Sequence, residues 1–204
     1  MYSQREIKPE EVGLLLKKYL HDPMIINHSY TVGFFALNIA LISKLASGNC
    51  NPKNDFMGGC FHDIAKEIDP GGHPIVAREI LYKEGLPELA EIAGRHGFAA
   101  EIAKTRGISG DFVPRTLDQK IVAYADFRVI NTTVTSLYQR IKCLKRRYEL
   151  TNDAEKLNHL RSAIERIREI EREFMELWSK APYLSTYMDE LRKLAELKEQ
   201  KLIF

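Results

Sequence analysis

The chain has 204 residues, enough for one domain with a sizeable core and a helical appendage, and its formal net charge is +2, which excludes a strong overall pull toward nucleic acid or an anionic membrane. Cys50, Cys60 and Cys143 are far apart and odd in number, so they exclude a disulfide framework and fit a reducing cytosol. The first eleven residues do not read as a signal peptide, and no stretch approaches the roughly 20 apolar residues of a bilayer span, so a soluble cytoplasmic protein is expected.

Pattern and punctuation predict an all-α chain, with no convincing strand pair and no internal repeat. A first helix is expected over 10–20, with Val12, Leu15, Leu16 and Leu20 inward, ended by His21-Asp22-Pro23. His21 reads as an exposed cap. A second helix is expected over 27–45, its inner face made by Val32, Phe35, Ala36 and Ile39. His28 lies four residues before Val32 and joins the end of that face. A third helix, over 55–66, carries His62 and Asp63 beside the apolar Phe56, Cys60, Phe61 and Ile64. Lys66, three residues beyond Asp63, projects on nearly the same side.

Gly71-Gly72-His73-Pro74 opens a fourth helix, since Pro74 suits its first turn and Gly85 its end. His73 then sits at the cap, free to point toward the previous helix terminus. A fifth helix over 87–96 puts Leu89, Ile92, Ala93 and His96 on one face, with Arg95 beside the imidazole. After 107–114, another helix begins near Thr116, with Ile121, Val122, Ala125 and Val129 inward and Asp126 in the same stripe. From Val134 the spacing becomes heptad-like, through Leu137, Ile141, Leu144 and Tyr148, and again through Leu157, Leu160, Ile164 and Ile167. Thr151-Asn152-Asp153 interrupts it, and Asn152 with Glu155 reads as a capping pair. The expectation is a long antiparallel hairpin with Phe174 and Trp178 at its far end, packed on the domain or at a homodimer surface. His159 reads as solvated and uninvolved. The basic run Lys142, Lys145, Arg146, Arg147 reads as a solvated face, so nucleic acid is not the expected partner. A last helix is expected over 188–202.

An ionised carboxylate beside an imidazole in an apolar run needs something cationic to meet it. Divalent metals take neutral imidazole and carboxylate as ordinary ligands. His28, His62, Asp63, His73, His96 and Asp126 all fall on buried faces or helix ends, and include four of the six histidines in the chain. A structural zinc site would be a closed set of four ligands, usually with cysteine. Six imidazole and carboxylate groups without cysteine suit two ions better.

In order and spacing these residues resemble the HD-domain superfamily of metal-dependent phosphohydrolases. Asn27-His28-Ser29 is similar to that family's first motif, and His62-Asp63-Ile64-Ala65-Lys66 to its defining one. The stretches from His73-Pro74 to Leu81 and from Pro87 to His96 resemble the two-histidine insert of its two-metal members, and Tyr124-Ala125-Asp126 the closing motif. The likeness spans about 24–130, and 131–204 carries none, so the expected division is an HD-type domain over 1–130 and a helical extension over 131–204.

The resemblance implies one or two divalent ions (Fe, Mn, Zn, Mg, Ni or Co). His28, His62, Asp63 and Asp126 would hold the first, and Asp63 would bridge to a second on His73 and His96. It implies hydrolysis of a phosphate ester or anhydride, expected to be a nucleotide's, by a metal-activated hydroxide. Asp63 and Lys66 are the expected catalytic residues, and Lys66 and Arg95 the expected phosphate contacts. Many relatives carry an arginine shortly before the first histidine, where this chain has Met24, Ile25 and Ile26. The competing readings are a non-catalytic nucleotide sensor or scaffold and a di-iron oxygenase.

Overall fold

The computed structural model describes residues 7–46 and 48–181. The helix expected over 188–202 lies outside them. Among the described residues the fold is an all-α bundle, with a single two-residue strand pair set into it.

A short 3₁₀ turn, Pro9–Glu11, leads into α1, Val12–Tyr19. α2 runs over Pro23–Leu45 and starts four residues earlier than its apolar pattern suggests. The Asp22 carboxylate accepts the Met24 N–H at 2.8 Å, and Pro23 supplies a first-turn residue whose missing N–H costs nothing. By length and composition α2 could cross a membrane, which corrects the expectation that no stretch comes near that limit. Its inward side, Val32, Ala36, Ile39 and Ala40, is packed into the core of the bundle.

α3, Pro52–Phe61, is capped by the Asn51 side chain on the N–H groups of Lys53 and Asn54. It crosses α2 where Gly33 meets Gly59. A Cβ on Gly59 would stand 2.7 Å from the Gly33 Cα, and one on Gly33 would stand 2.8 Å from the Phe56 carbonyl oxygen. Two backbones therefore touch with no side chain between them. His28 precedes this contact by five residues and His62 follows it by three, so the crossing sets their separation.

α4, His73–Lys83, ends before Gly85, which takes φ +77°, a left-handed value that suits glycine. α5 is Pro87–Ala93. α6, Ala99–Thr105, has no counterpart in the sequence reading. Ala99, Ile102 and Ala103 pack there on Ile75 and Phe112 in a small separate core. α7, Leu117–Asp126, opens with a capping box between Thr116 and Gln119. Next come β1, Val129–Ile130, and β2, Thr133–Val134, paired antiparallel across a two-residue turn in which Asn131 takes φ +54°. The sequence reading found no such pair.

The C-terminal hairpin forms as expected, from α8, Leu137–Leu150, and α9, Ala154–Ser179. Its cap is Asp153 rather than the expected Asn152. The Asp153 carboxylate accepts the Lys156 N–H at 2.9 Å, while Asn152 is used for the turn itself at φ +52°. The hairpin packs on the bundle. Leu144, Leu160, Ile167 and Phe174 belong to the same core as Val12 and Phe61. Trp178 stacks on Phe174 and donates its indole N–H to Ser43 Oγ of α2 at 3.0 Å.

The glycine crossing yields a prediction. Gly33→Ala should destabilise the fold by about 1–3 kcal/mol, a cost typical of overpacking. Thermal unfolding checks it, and a melting temperature unchanged from wild type contradicts the close approach.

Candidate metal centre

Each of three imidazoles sits at a helix terminus and binds its own chain three residues back. His62 Nδ1 donates to the Gly59 carbonyl at 2.6 Å, His96 Nδ1 to Ala93 at 2.6 Å and His73 Nδ1 to Pro70 at 3.1 Å. In a continued α3, the Gly59 carbonyl would take the Asp63 N–H. The imidazole takes it instead, so α3 ends at Phe61 rather than at the expected residue 66, and 62–69 continues as tight turns. α5 ends at Ala93 for a different reason: the Arg95 N–H turns to the Ile92 carbonyl at 3.4 Å, a tighter turn that closes the helix before His96. His28, inside α2, reaches the Asn131 carbonyl at 2.7 Å. The unforeseen strand pair thus orients one of the four rings.

A carbonyl oxygen only accepts, so each Nδ1 carries the proton and each Nε2 presents a lone pair. Those lone pairs converge. His73 and His96 Nε2 are 3.0 Å apart, and His73 Nε2 is 2.9 Å from Asp63 Oδ1. His62 Nε2 is fully buried and has no hydrogen-bond partner; it lies 3.5 Å from Asp63 Oδ2 and 3.7 Å from Asp126 Oδ1. His28 Nε2 stands 3.6 Å from Asp126 Oδ1 and 3.8 Å from Asp63 Oδ2. Acceptors facing acceptors at these distances need a cation, which the Lys66 ammonium supplies on the His73 side, 3.2 Å from its Nε2, but not beside His62 or His28. The donor set fits the expected ions, and each of three overlapping groups could hold one: His28, His62 and Asp63; His62, His96 and Asp126; Asp63, His73 and His96. The clusters are positioned to chelate one or two divalent ions.

Asp63 is divided between them. Its Oδ2 faces His28 and His62, and its Oδ1 faces His73, His96 and the Lys66 ammonium at 3.4 Å. Burial opposes its charge, but the surrounding His62, His73 and Lys66 outweigh that and hold the carboxyl well below its usual range. Burial pushes the His62 imidazole down to about 3, so its Nε2 stays unprotonated at neutral pH. Burial also disfavours charge on His28, yet the Asp126 and Asp63 carboxylates prevail and raise its pKa. The Asp126 carboxylate has an arginine near it, Arg140, with Nη2 at 3.8 Å.

The centre is the floor of a cavity of about 990 Å³ whose lining includes Met24 and Ile25 of α2 and residues of α8 and α9. Lys66 and His73 line it. Arg95 does not, which corrects its assignment to substrate. Its guanidinium is held by Glu91 at 2.7 Å and by the Val113 carbonyl at 3.0 Å, tying the 107–115 segment to α5. His159 corrects the reading in the other direction: it is buried, lines the cavity and lies 3.2 Å from Thr105 Oγ1. Asn131, Arg140 and Arg147 also reach the cavity and were not foreseen. The β-branched residues flanking Asn131-Thr132 were the available signal for the turn.

The HD domain pattern matches residues 25–127, half of the chain. This chain belongs to the HD domain family. An uncharacterized protein of Methanocaldococcus jannaschii is 33% identical over 143 residues, 67% of this chain and 85% of that protein. A tRNA (cytidine(56)-2'-O)-methyltransferase of Picrophilus torridus is 31% identical over 132 residues, 62% of this chain but only 37% of that enzyme. No solved structure matches significantly. The HD fold with these metal-chelating clusters is that of the HD phosphohydrolase enzymes.

Two outcomes test the centre. Asp63→Ala should lose bound metal, measured by elemental analysis, because it removes a ligand from both halves at once; full retention would contradict the bridge. Metal affinity should also weaken as pH falls. The raised pKa of His28 means a proton competes for its Nε2 already above the ordinary imidazole value of 6.5. Titrations near pH 8 and pH 6 check this, and equal affinity at both contradicts it.

Proposed function

We propose that this HD protein hydrolyses a phosphate ester or anhydride of a nucleotide. The observation that supports it is the divided Asp63 carboxylate, with Oδ1 2.9 Å from His73 and Oδ2 3.5 Å from His62, on the floor of a cavity large enough for an organic phosphate. Divalent ions held by His28, His62, Asp63 and Asp126, and by Asp63, His73 and His96, would supply Lewis acidity and an acidified water.

The chain's own groups do the remaining work. Asp63 keeps the two halves of the centre at a fixed separation. The Nδ1–carbonyl bonds hold the rings, so no reorganisation is needed during reaction. Lys66 is one-third exposed and reaches the cavity from beside Asp63, where its ammonium can pair with a phosphoryl oxygen. In the reaction, water oxygen bonds to phosphorus, the phosphorus–oxygen bond to the leaving group breaks with its electron pair, and the leaving oxygen takes a proton. The apolar Met24 and Ile25 wall suits the organic part of the substrate.

A panel of nucleotides, assayed with manganese, iron, magnesium, zinc, nickel or cobalt added back to metal-stripped protein, tests the reading. Phosphate or nucleotide release is expected with at least one pair. Oxygen consumption with iron and no hydrolysis would favour an oxygenase, and nucleotide binding without turnover a sensor. Lys66→Ala should keep its metal yet turn over more slowly, on the order of tenfold to a hundredfold, if the ammonium meets developing charge. Loss of metal in that variant would make Lys66 a structural residue.

A further inference from the structure

Beyond the family pattern, which stops at residue 127, α8 lays one face along the cavity. Arg140, Leu144, Arg147 and Tyr148 all line it, at spacings that put their side chains on one stripe. Other cavity cations are committed to acids: Arg106 to Asp69 at 2.5 Å and Lys156 to Asp153 at 2.6 Å. Arg140 is different. Its side chain is 13% exposed, its Nε–H is buried without a partner, and Asp126, at 3.8 Å, is too far for a hydrogen bond. A buried guanidinium donor left open is costly, and a bound anion would relieve that cost. Arg147 makes no ion pair among the described residues.

We propose that α8 is the substrate-recognition wall of the centre: Arg140 holds an oxygen of the phosphoryl group at the metal cluster, and Arg147 holds a second anionic group two helical turns away. Seven residues of helix put the two guanidinium attachment points ~10 Å apart. Leu144 lies between them, and the Tyr148 ring stands beside Arg147, 6.1 Å from the Phe98 ring. Leu144 is mostly buried, so a nucleoside there would meet chiefly the half-buried Tyr148 and Phe98 rings while its two ends met cations. The ligand class is therefore a nucleoside carrying two separated phosphoryl groups. The absence of an arginine at 24–26 is consistent with this, because α8 supplies the phosphate contact instead. The role of Arg140 in turnover rests on the hydrolase reading, whereas the Arg147 subsite is a binding claim that stands apart from it.

The probes are adenosine 5′-monophosphate and adenosine 3′,5′-bisphosphate. Both are titrated calorimetrically into metal-stripped protein and assayed for hydrolysis with the metal-loaded protein. Wild type should bind the bisphosphate about tenfold or more tightly than the monophosphate, and Arg147→Ala should remove about tenfold of that preference. Arg140→Ala should weaken both ligands. Arg146→Ala, exposed on the same basic run and outside the cavity, should change neither. Equal binding of the two probes by wild type, or an undiminished preference in Arg147→Ala, overturns the proposal. A preference lost in Arg147→Ala, with no nucleotide of any kind hydrolysed by wild type, upholds the wall and overturns the hydrolase reading. Hydrolysis with constants insensitive to both arginines does the reverse.

Discussion

Four hydrogen bonds from imidazole Nδ1 to backbone carbonyls govern this molecule. Each one fixes a ring, fixes its tautomer and turns the other nitrogen toward a common centre. One of them also bears on where a helix stops. The His62 ring claims the Gly59 carbonyl that a longer α3 would need, so the end of α3 and a metal-facing nitrogen are set by the same bond. The cost of gathering lone pairs and carboxylates in one dry place is carried by the tightly packed bundle around them. Glycines 33 and 59 let α2 and α3 approach to backbone contact, which brings His28 to within 5.2 Å of His62, ring centre to ring centre.

Much of this was legible in the sequence, for identifiable reasons. Side chains at helix caps and on apolar stripes obey local rules, so His73 beside Pro74, His96 after an apolar face and Asp126 within a stripe could all be placed. The length of α3 could not. Periodicity continues through Ile64 and Lys66, and nothing in the pattern says that an imidazole will take the carbonyl of Gly59. His159 was misread because its sequence neighbours, Glu155, Lys156 and Arg161, are charged. Its face is decided instead by Leu160 and Ala163, which turn that side of α9 inward. Arg95 was misread for the converse reason. It adjoins His96 in sequence, but an adjacent residue points elsewhere, here toward Glu91 and the Val113 carbonyl. Residue order predicts proximity along the chain, and the centre is built across it.

The C-terminal hairpin shows how an appendage gains a role in a site it does not found. The six metal-facing residues lie within the family pattern, apart from which α8 and α9 could be mere packing. They bury Leu144, Leu160 and Ile167 in the common core, and that docking alone carries Arg140 to Asp126 and the Tyr148 and His159 rings to the cavity. The metal-chelating clusters thus lie in the HD bundle, while part of the cavity lining comes from a segment outside the HD pattern.

Two buried aspartates of this chain settle what the centre requires. Asp55 begins α3 and Asp63 follows its end, and both are shielded from water. Burial, aided by the Asp118 carboxylate, raises Asp55 to about 9, so at neutral pH it holds its proton and sheds its charge. Asp63 is also buried, though it lines the cavity, and does the opposite, staying ionised below its usual range. The difference is the company each keeps. Asp55 has a carboxylate beside it, whereas Asp63 has the Lys66 ammonium at 3.4 Å and imidazoles that can take up a cation. A chain that can discharge a buried acid where no cation is near has instead kept one charged at the point where four lone pairs converge. That charge, repeated at Asp126 beside His62, is what one or two divalent ions would need to be held in a low-dielectric interior.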